Sequence, residues 1–241
     1  MTKNEIDKIC KKYKITNYTI NQDKSVDVYQ NVDLIYKGLK KIPLNFNKVE
    51  GDFHCSINSL DSLKDSPDYV SGSFRCGDNN LTSLKGCPNY IGGSLDCDDN
   101  MLNSLKYGPE YVGNNYGCNQ NNLTSLKYTP KYIEGNFFCS ENKLKALKDS
   151  PDTIKGDFVF MNNKIKSFYN LPNVKQIILL NNPIEELWLL FADEIHIDYF
   201  NELDIIVKNE STVILDRLNY FLTDIGKQEI SKDSIKNYKV V

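Results

Sequence analysis

Cys55, Cys76, Cys97, Cys118 and Cys139 stand 21 residues apart without exception, and Phe160 takes the next place in the series. Three residues on, Asn58, Asn79, Asn100, Asn121, Asn142 and Asn163 form an unbroken column. Leu60, Leu81, Leu102, Leu123, Leu144 and Ile165 follow, then Leu63, Leu84, Leu105, Leu126, Leu147 and Phe168. Proline recurs at 67, 88, 109, 130, 151 and 172, and Val70, Ile91, Val112, Ile133 and Ile154 keep the same step. A fixed period of this length restricts the chain to a solenoid. Each unit is too small to bury its apolar side alone and does so only by stacking on the next.

Phe53, Phe74, Leu95, Tyr116, Phe137 and Phe158 lie two residues before the column of cysteines and Phe160. Period two sends both side chains inward from a short strand, and successive strands stack as a parallel sheet at about 4.8 Å per coil. The asparagine that follows turns inward, where its amide satisfies backbone groups left unpaired by the bend. Gly51, Gly72, Gly93, Gly135 and Gly156 precede each strand, with Asn114 in the same column. Positive φ is expected there, which glycine and asparagine tolerate. The prolines fix φ on the opposite side and favour an extended or turned path over a helix.

The segment Gly72–Leu84 carries the pattern apolar-x-apolar-x-x-Asn-x-Leu-x-x-Leu. In this the chain resembles the leucine-rich-repeat superfamily, and within it the short bacterial class, where Leu-Thr-Ser-Leu leads into a proline-containing convex turn. It is also similar to repeat proteins of bacteriophage and bacterial genomes. The resemblance covers roughly residues 26–190. It implies an α/β solenoid whose parallel β-sheet is concave, and a non-enzymatic role in binding another protein. The bacteriophage likeness implies a host or defence protein as the partner, blocked in the host cytoplasm. Some bacterial leucine-rich-repeat effectors add a ubiquitin-ligase domain with a catalytic cysteine. Here the last cysteine, Cys139, lies inside the repeats, so that likeness stops there.

The ends leave the period, as terminal repeats do. Residues 1–31 are expected to form a helix and hairpin cap, with an amphipathic helix over 4–14 (Ile6, Ile9, Cys10, Tyr13) and a strand at Val26–Val28. Residues 32–187 hold about eight coils, beginning at Val32–Leu34 and ending with a repeat from Ile177 to Leu187. Residues 188–241 are expected to form a C-terminal α/β cap. A short helix over Glu185–Phe191 leads into it. A strand at Ile195–Ile197, a helix over Thr212–Ile225 with Ser211 as N-cap, and a last strand in Tyr238–Val241 follow.

Net charge is −3 and the pI is near 5.5, which argues against nucleic acid as the partner of the whole surface. No apolar run approaches the ~18–20 residues that span a bilayer. The first residues, MTKNEIDKICKKYK, carry charge where a signal peptide is apolar. We therefore expect a cytoplasmic protein without a membrane partner, its seven cysteines remaining thiols. Cysteine behaves as a small buried hydrophobe, so the cysteine column reads as core and not as a metal or redox site. His54 and His196 are the only histidines, and no phosphate-binding glycine motif occurs. No cofactor, metal or catalytic constellation is expected.

Candidate binding residues follow from the alternation. The outward positions flanking the inward pairs give Asp52, His54, Arg75, Asp96, Asp98, Asn119, Phe138, Val159 and Met161 on the concave face, polar at one end and an apolar ridge at the other. Phe138 is the expected anchor, since aromatic residues carry a large share of interface energy. A second column, Lys64, Lys85, Lys106, Lys127 and Lys148, is the alternative site, able to track a polyanion such as a nucleic-acid backbone. The tyrosines at 69, 90, 111 and 132 read as packing on the convex face.

Overall fold

Each unit contributes two short strands on either side of a tight corner, because two stretches of it alternate inward apolar with outward residues. The computed structural model describes residues 1–193, 196–207 and 211–241. Its body is a parallel-strand β-solenoid of about seven turns. Strands Val32–Asp33, Phe53–His54, Phe74–Arg75, Leu95–Asp96, Tyr116–Gly117 and Phe137–Phe138 pair in register, and Thr153–Val159 and Asn173–Ile178 extend the ladder. We call this sheet II. The proline side, expected only to be extended or turned, forms a second parallel sheet, sheet I. It runs through Val26–Val28, Phe46–Val49, Tyr69–Val70, Tyr90–Ile91 and Tyr111–Val112, with Tyr18–Ile20 added antiparallel at its start.

The backbone is satisfied in both directions along the stack. In sheet II each coil donates forward, as Phe53 N–H does to the Ser73 carbonyl at 2.9 Å. In sheet I it donates backward, as Ser71 N–H does to the Val49 carbonyl at 3.0 Å. Between the sheets lie the expected columns, all buried: the Phe53-to-Phe158 series, the cysteines and both leucine columns. Each such side chain contributes roughly 1.5–3 kcal/mol by leaving water. Rings stack within the core, Phe53 on Phe74 at 5.5 Å and Phe137 on Phe158 at 5.3 Å.

The asparagine column performs the expected task. Asn100 Nδ2 donates to the carbonyls of Cys76, Cys97 and Asp98 at 3.1, 3.2 and 3.1 Å. Its Oδ1 accepts from Leu81 N–H at 3.0 Å, so one side chain ties adjacent coils together.

The corner glycines serve a different purpose from the one expected. Gly51 has φ +152°, but Gly72, Gly93, Gly135, Gly156 and Asn114 are not at positive φ. They are required because the neighbouring coil's backbone passes too close: a Cβ on Gly93 would lie 2.6 Å from Ser73 Oγ and 2.8 Å from the Gly72 carbonyl carbon. The left-handed residues lie elsewhere, in columns 57/78/99/120/141/162 and 65/86/107/128/149/170. Asp, Asn and Gly predominate there, and Ile57 at φ 56° is the β-branched exception.

Helix α1 (Lys3–Lys12) packs Ile6 and Cys10 into the first coil. A capping box holds its start: Thr2 N–H donates to Glu5 Oε2 at 2.7 Å, and Glu5 N–H donates to Thr2 Oγ1 at 3.3 Å. At the other end α2 (Glu185–Phe191) falls where expected. The last strand also falls where expected, at Lys239–Val240, and the two assignments between are corrected. Ile195 lies outside the described residues, and Ile197 opens helix α3 (Ile197–Glu202) instead of closing a strand. Thr212–Val213 is a strand, so α4 starts later (Leu215–Asp224) and its N-cap is Ile214, not Ser211. Ile206–Val207, Thr212–Val213 and Lys239–Val240 form a small third sheet. Phe168, at the end of the leucine column, joins the helices through Phe191 and Phe200 at 5.9 and 5.7 Å, and Phe221 packs on both.

Candidate protein-binding face

The outward row of sheet II runs Asp33, His54, Arg75, Asp96, Gly117, Phe138, Val159 and Ile178, each opposite the next in register. His54, Arg75, Asp96 and Phe138 are half-buried and share this row as expected. Val159 does not join an exposed ridge: it is 8% exposed, because it is enclosed between neighbouring strands. The apolar end is instead continued by half-buried Met161 and Ile178 and by Leu180, which is 51% exposed.

Asp52 is committed to the fold. The column Asn31, Asp52, Ser73, Ser94, Asn115 and Asn136 runs along the corner, and each side-chain oxygen accepts the backbone N–H of the next coil's counterpart. Ser73 N–H donates to Asp52 Oδ1 at 2.7 Å, Asn136 N–H to Asn115 Oδ1 at 2.8 Å and Asp157 N–H to Asn136 Oδ1 at 2.8 Å. Only Asp52 Oδ2 is left for Arg75, at 3.8 Å, an exposed pair of little worth. Sequence reasoning missed this ladder, although its signal was present. The column holds only Asn, Asp and Ser, the short side chains that reach a neighbouring N–H.

A parallel ladder takes part of the next column. Asp98 accepts Asn119 N–H and Asn119 Nδ2, both at 2.8 Å, and Ser140 N–H donates to Asn119 Oδ1 at 2.8 Å. Gly77 and Gly117 leave room for these acids, since a Cβ would lie 3.0 Å from Asp96 Oδ1 at Gly77 and 2.9 Å from Asp98 Oδ1 at Gly117. Burial raises the Asp98 carboxyl above its ordinary range, against the Asn119 hydrogen bonds. Asp99 is raised by partial burial and then by the nearby charges of Asp78, Glu141 and Asp96. Burial, then the Arg75 guanidinium, lowers His54 and favours its neutral form.

The lysine stripe is fully outward: Lys64, Lys85, Lys106, Lys127 and Lys148 are all exposed. The neighbouring Asp65 and Asp149 form no ion pair with these lysines among the described residues. The ammonium groups of Lys106 and Lys127 rest over the rings of Tyr107 and Tyr128 at 4.9 and 5.1 Å. The tyrosine column is not buried packing. Tyr69, Tyr90 and Tyr111 stack at 4.9 and 5.0 Å on the outside of sheet I, too close to admit a base between them.

The column thiols are free and buried, and burial holds each well above its ordinary value. They pack as neutral hydrophobes. Among the described residues no three or more His, Cys, Asp or Glu are grouped to hold a metal ion, and no helix is long and apolar enough to cross a membrane. Comparison with protein families, with curated proteins and with solved structures returns no match for this chain.

Proposed function

We propose that the chain is a leucine-rich-repeat protein, with α1 and the hairpin capping one end and the α/β segment from α2 onward capping the other. Its function is to bind a protein partner on the outer face of sheet II, without catalysis. The supporting observation is the row from His54 to Ile178. The inward columns are fixed by packing, the asparagines by the turn and the corner column by its ladder, whereas this row alone changes from charged to apolar along the stack. A charged half and an apolar half on one surface suit a protein better than a polyanion. The likeness to bacteriophage repeat proteins makes a host or defence protein, inhibited in the cytoplasm, the partner of choice.

The test replaces Arg75, Asp96 and Phe138 together with alanine, positions that no inward packing uses. Partner capture is expected to weaken by about 100-fold or more with the melting temperature unchanged. Undiminished capture by the folded variant would move binding away from this face. The second reading, polyanion binding on the lysine stripe, is favoured by one observation: no described acid neutralises those five side chains.

A further inference from the structure

A cleft of about 480 Å³ opens beside the first coils, away from the sheet II face, where the start of the lysine stripe meets the loop before Val26–Val28. Lys64 and Lys85 line it, and so do Asp65 and Asp68. The ion pairs among the described residues are Lys48–Glu50, Arg75–Asp52, Lys131–Asp152 and Lys155–Glu134, so opposite charges share this cleft without any pair closing across it. The third acid, Asp23, is already engaged, accepting from Ser25 N–H and Oγ–H at 2.9 and 2.7 Å. That leaves two cationic and two anionic groups free around one opening.

The cleft wall also holds Ser66, a buried residue whose hydroxyl has no hydrogen-bond partner. Its counterparts in the same column are satisfied: Thr129 Oγ1 donates to the Leu126 carbonyl at 2.9 Å and Ser150 Oγ to the Leu147 carbonyl at 2.6 Å. An unpaired buried hydroxyl is unfavourable, and a ligand acceptor, met by rotation about χ1, would relieve it.

We propose that this cleft binds a zwitterionic small molecule of amino-acid to dipeptide size. The ligand carboxylate lies toward Lys64, Lys85 and the Ser66 hydroxyl, and its ammonium toward Asp65 and Asp68. A simple anion meets the two aspartates and a simple cation the two lysines, so only a ligand with both charges offsets all four.

The test titrates the full-length protein with diglycine, followed by ligand-observed NMR. N-acetyl-diglycine, diglycinamide and inorganic phosphate are run beside it. Diglycine is expected to bind, and loss of either charge to weaken binding about tenfold or more, the size of one charge-assisted hydrogen bond. Lys85→Gln and Asp68→Asn should each weaken it at an unchanged melting temperature, and Ser66→Ala should weaken it with the melting temperature unchanged or raised. Diglycine binding should also fall as its amine deprotonates above about pH 8. Equal binding of the blocked forms, tighter binding of phosphate, or no diglycine binding at about 10 mM would each overturn the assignment.

Discussion

At Asn100 one amide serves four backbone groups in two coils. The Cys76, Cys97 and Asp98 carbonyls also accept from Asn79 Nδ2, Asn121 Nδ2 and Asp78 N–H, whereas Leu81 N–H depends on Asn100. Asn100→Ala therefore strands Leu81 N–H in the interior and leaves each of the three carbonyls one donor short. With one buried group stranded at about 1–3 kcal/mol and three carbonyls weakened, a loss of about 2–4 kcal/mol is expected in urea unfolding. Asn58 makes similar bonds to Leu34, Cys55 and Ser56 but is only half-buried at the start of the stack. Water can replace part of what Asn58→Ala removes, so that variant should lose less. Equal losses at the two positions would show that burial is not what makes the amide matter. The column was legible because asparagine is the one residue type found there. Asp52 and its column were not, because alternation points them outward, and an outward polar residue looks solvated until the next coil's N–H is placed beside it.

The corner between the two sheets is the element that sets how closely coils approach. Gly72 N–H donates to the Gly51 carbonyl at 3.0 Å and Gly93 N–H to the Gly72 carbonyl at 2.8 Å, repeating from coil to coil. Where Asn114 replaces glycine, no such bond links it to Gly93, and sheet I has no pairing between Tyr111–Val112 and Tyr132–Ile133. One Cβ at the corner is thus accommodated by opening the ladder. Gly93→Ala should open it a second time, at a cost of about 1–3 kcal/mol, read as a lowered denaturant midpoint. An unchanged midpoint would mean the coils are not held at this distance by the glycine column. Periodicity revealed the strands of sheet II and helices α1 and α2, whose signals are local. It did not reveal the strand at Thr212–Val213, which is only two residues long and runs almost directly into α4, so its β-branched pair reads as the helix's first turn.

Across the whole molecule, seven thiols are buried in one continuous core, and burial raises every one of them above the ordinary value of 9.0, Cys10 to about 11 and the others further. The Tyr116 hydroxyl, buried without a partner, is raised for the same reason. Because the folded chain keeps protons that the unfolded chain releases, this contribution to stability is fully present below pH 9 and is lost as pH rises above it. Each thiol makes unfolding easier by about 1.4 kcal/mol per pH unit once the unfolded form ionises, and seven acting together give a steep slope. Unfolding free energy measured at pH 8 should therefore exceed that at pH 10 by several kcal/mol. Cys118→Ala removes one of the seven protons, so its stability should depend less steeply on pH even though its baseline is lower. Iodoacetamide at pH 8 should leave the column cysteines of the folded chain unmodified and alkylate all of them in urea. A flat profile between pH 8 and 10, or rapid alkylation without denaturant, would mean that the thiols reach solvent and that the coils are not closed around them.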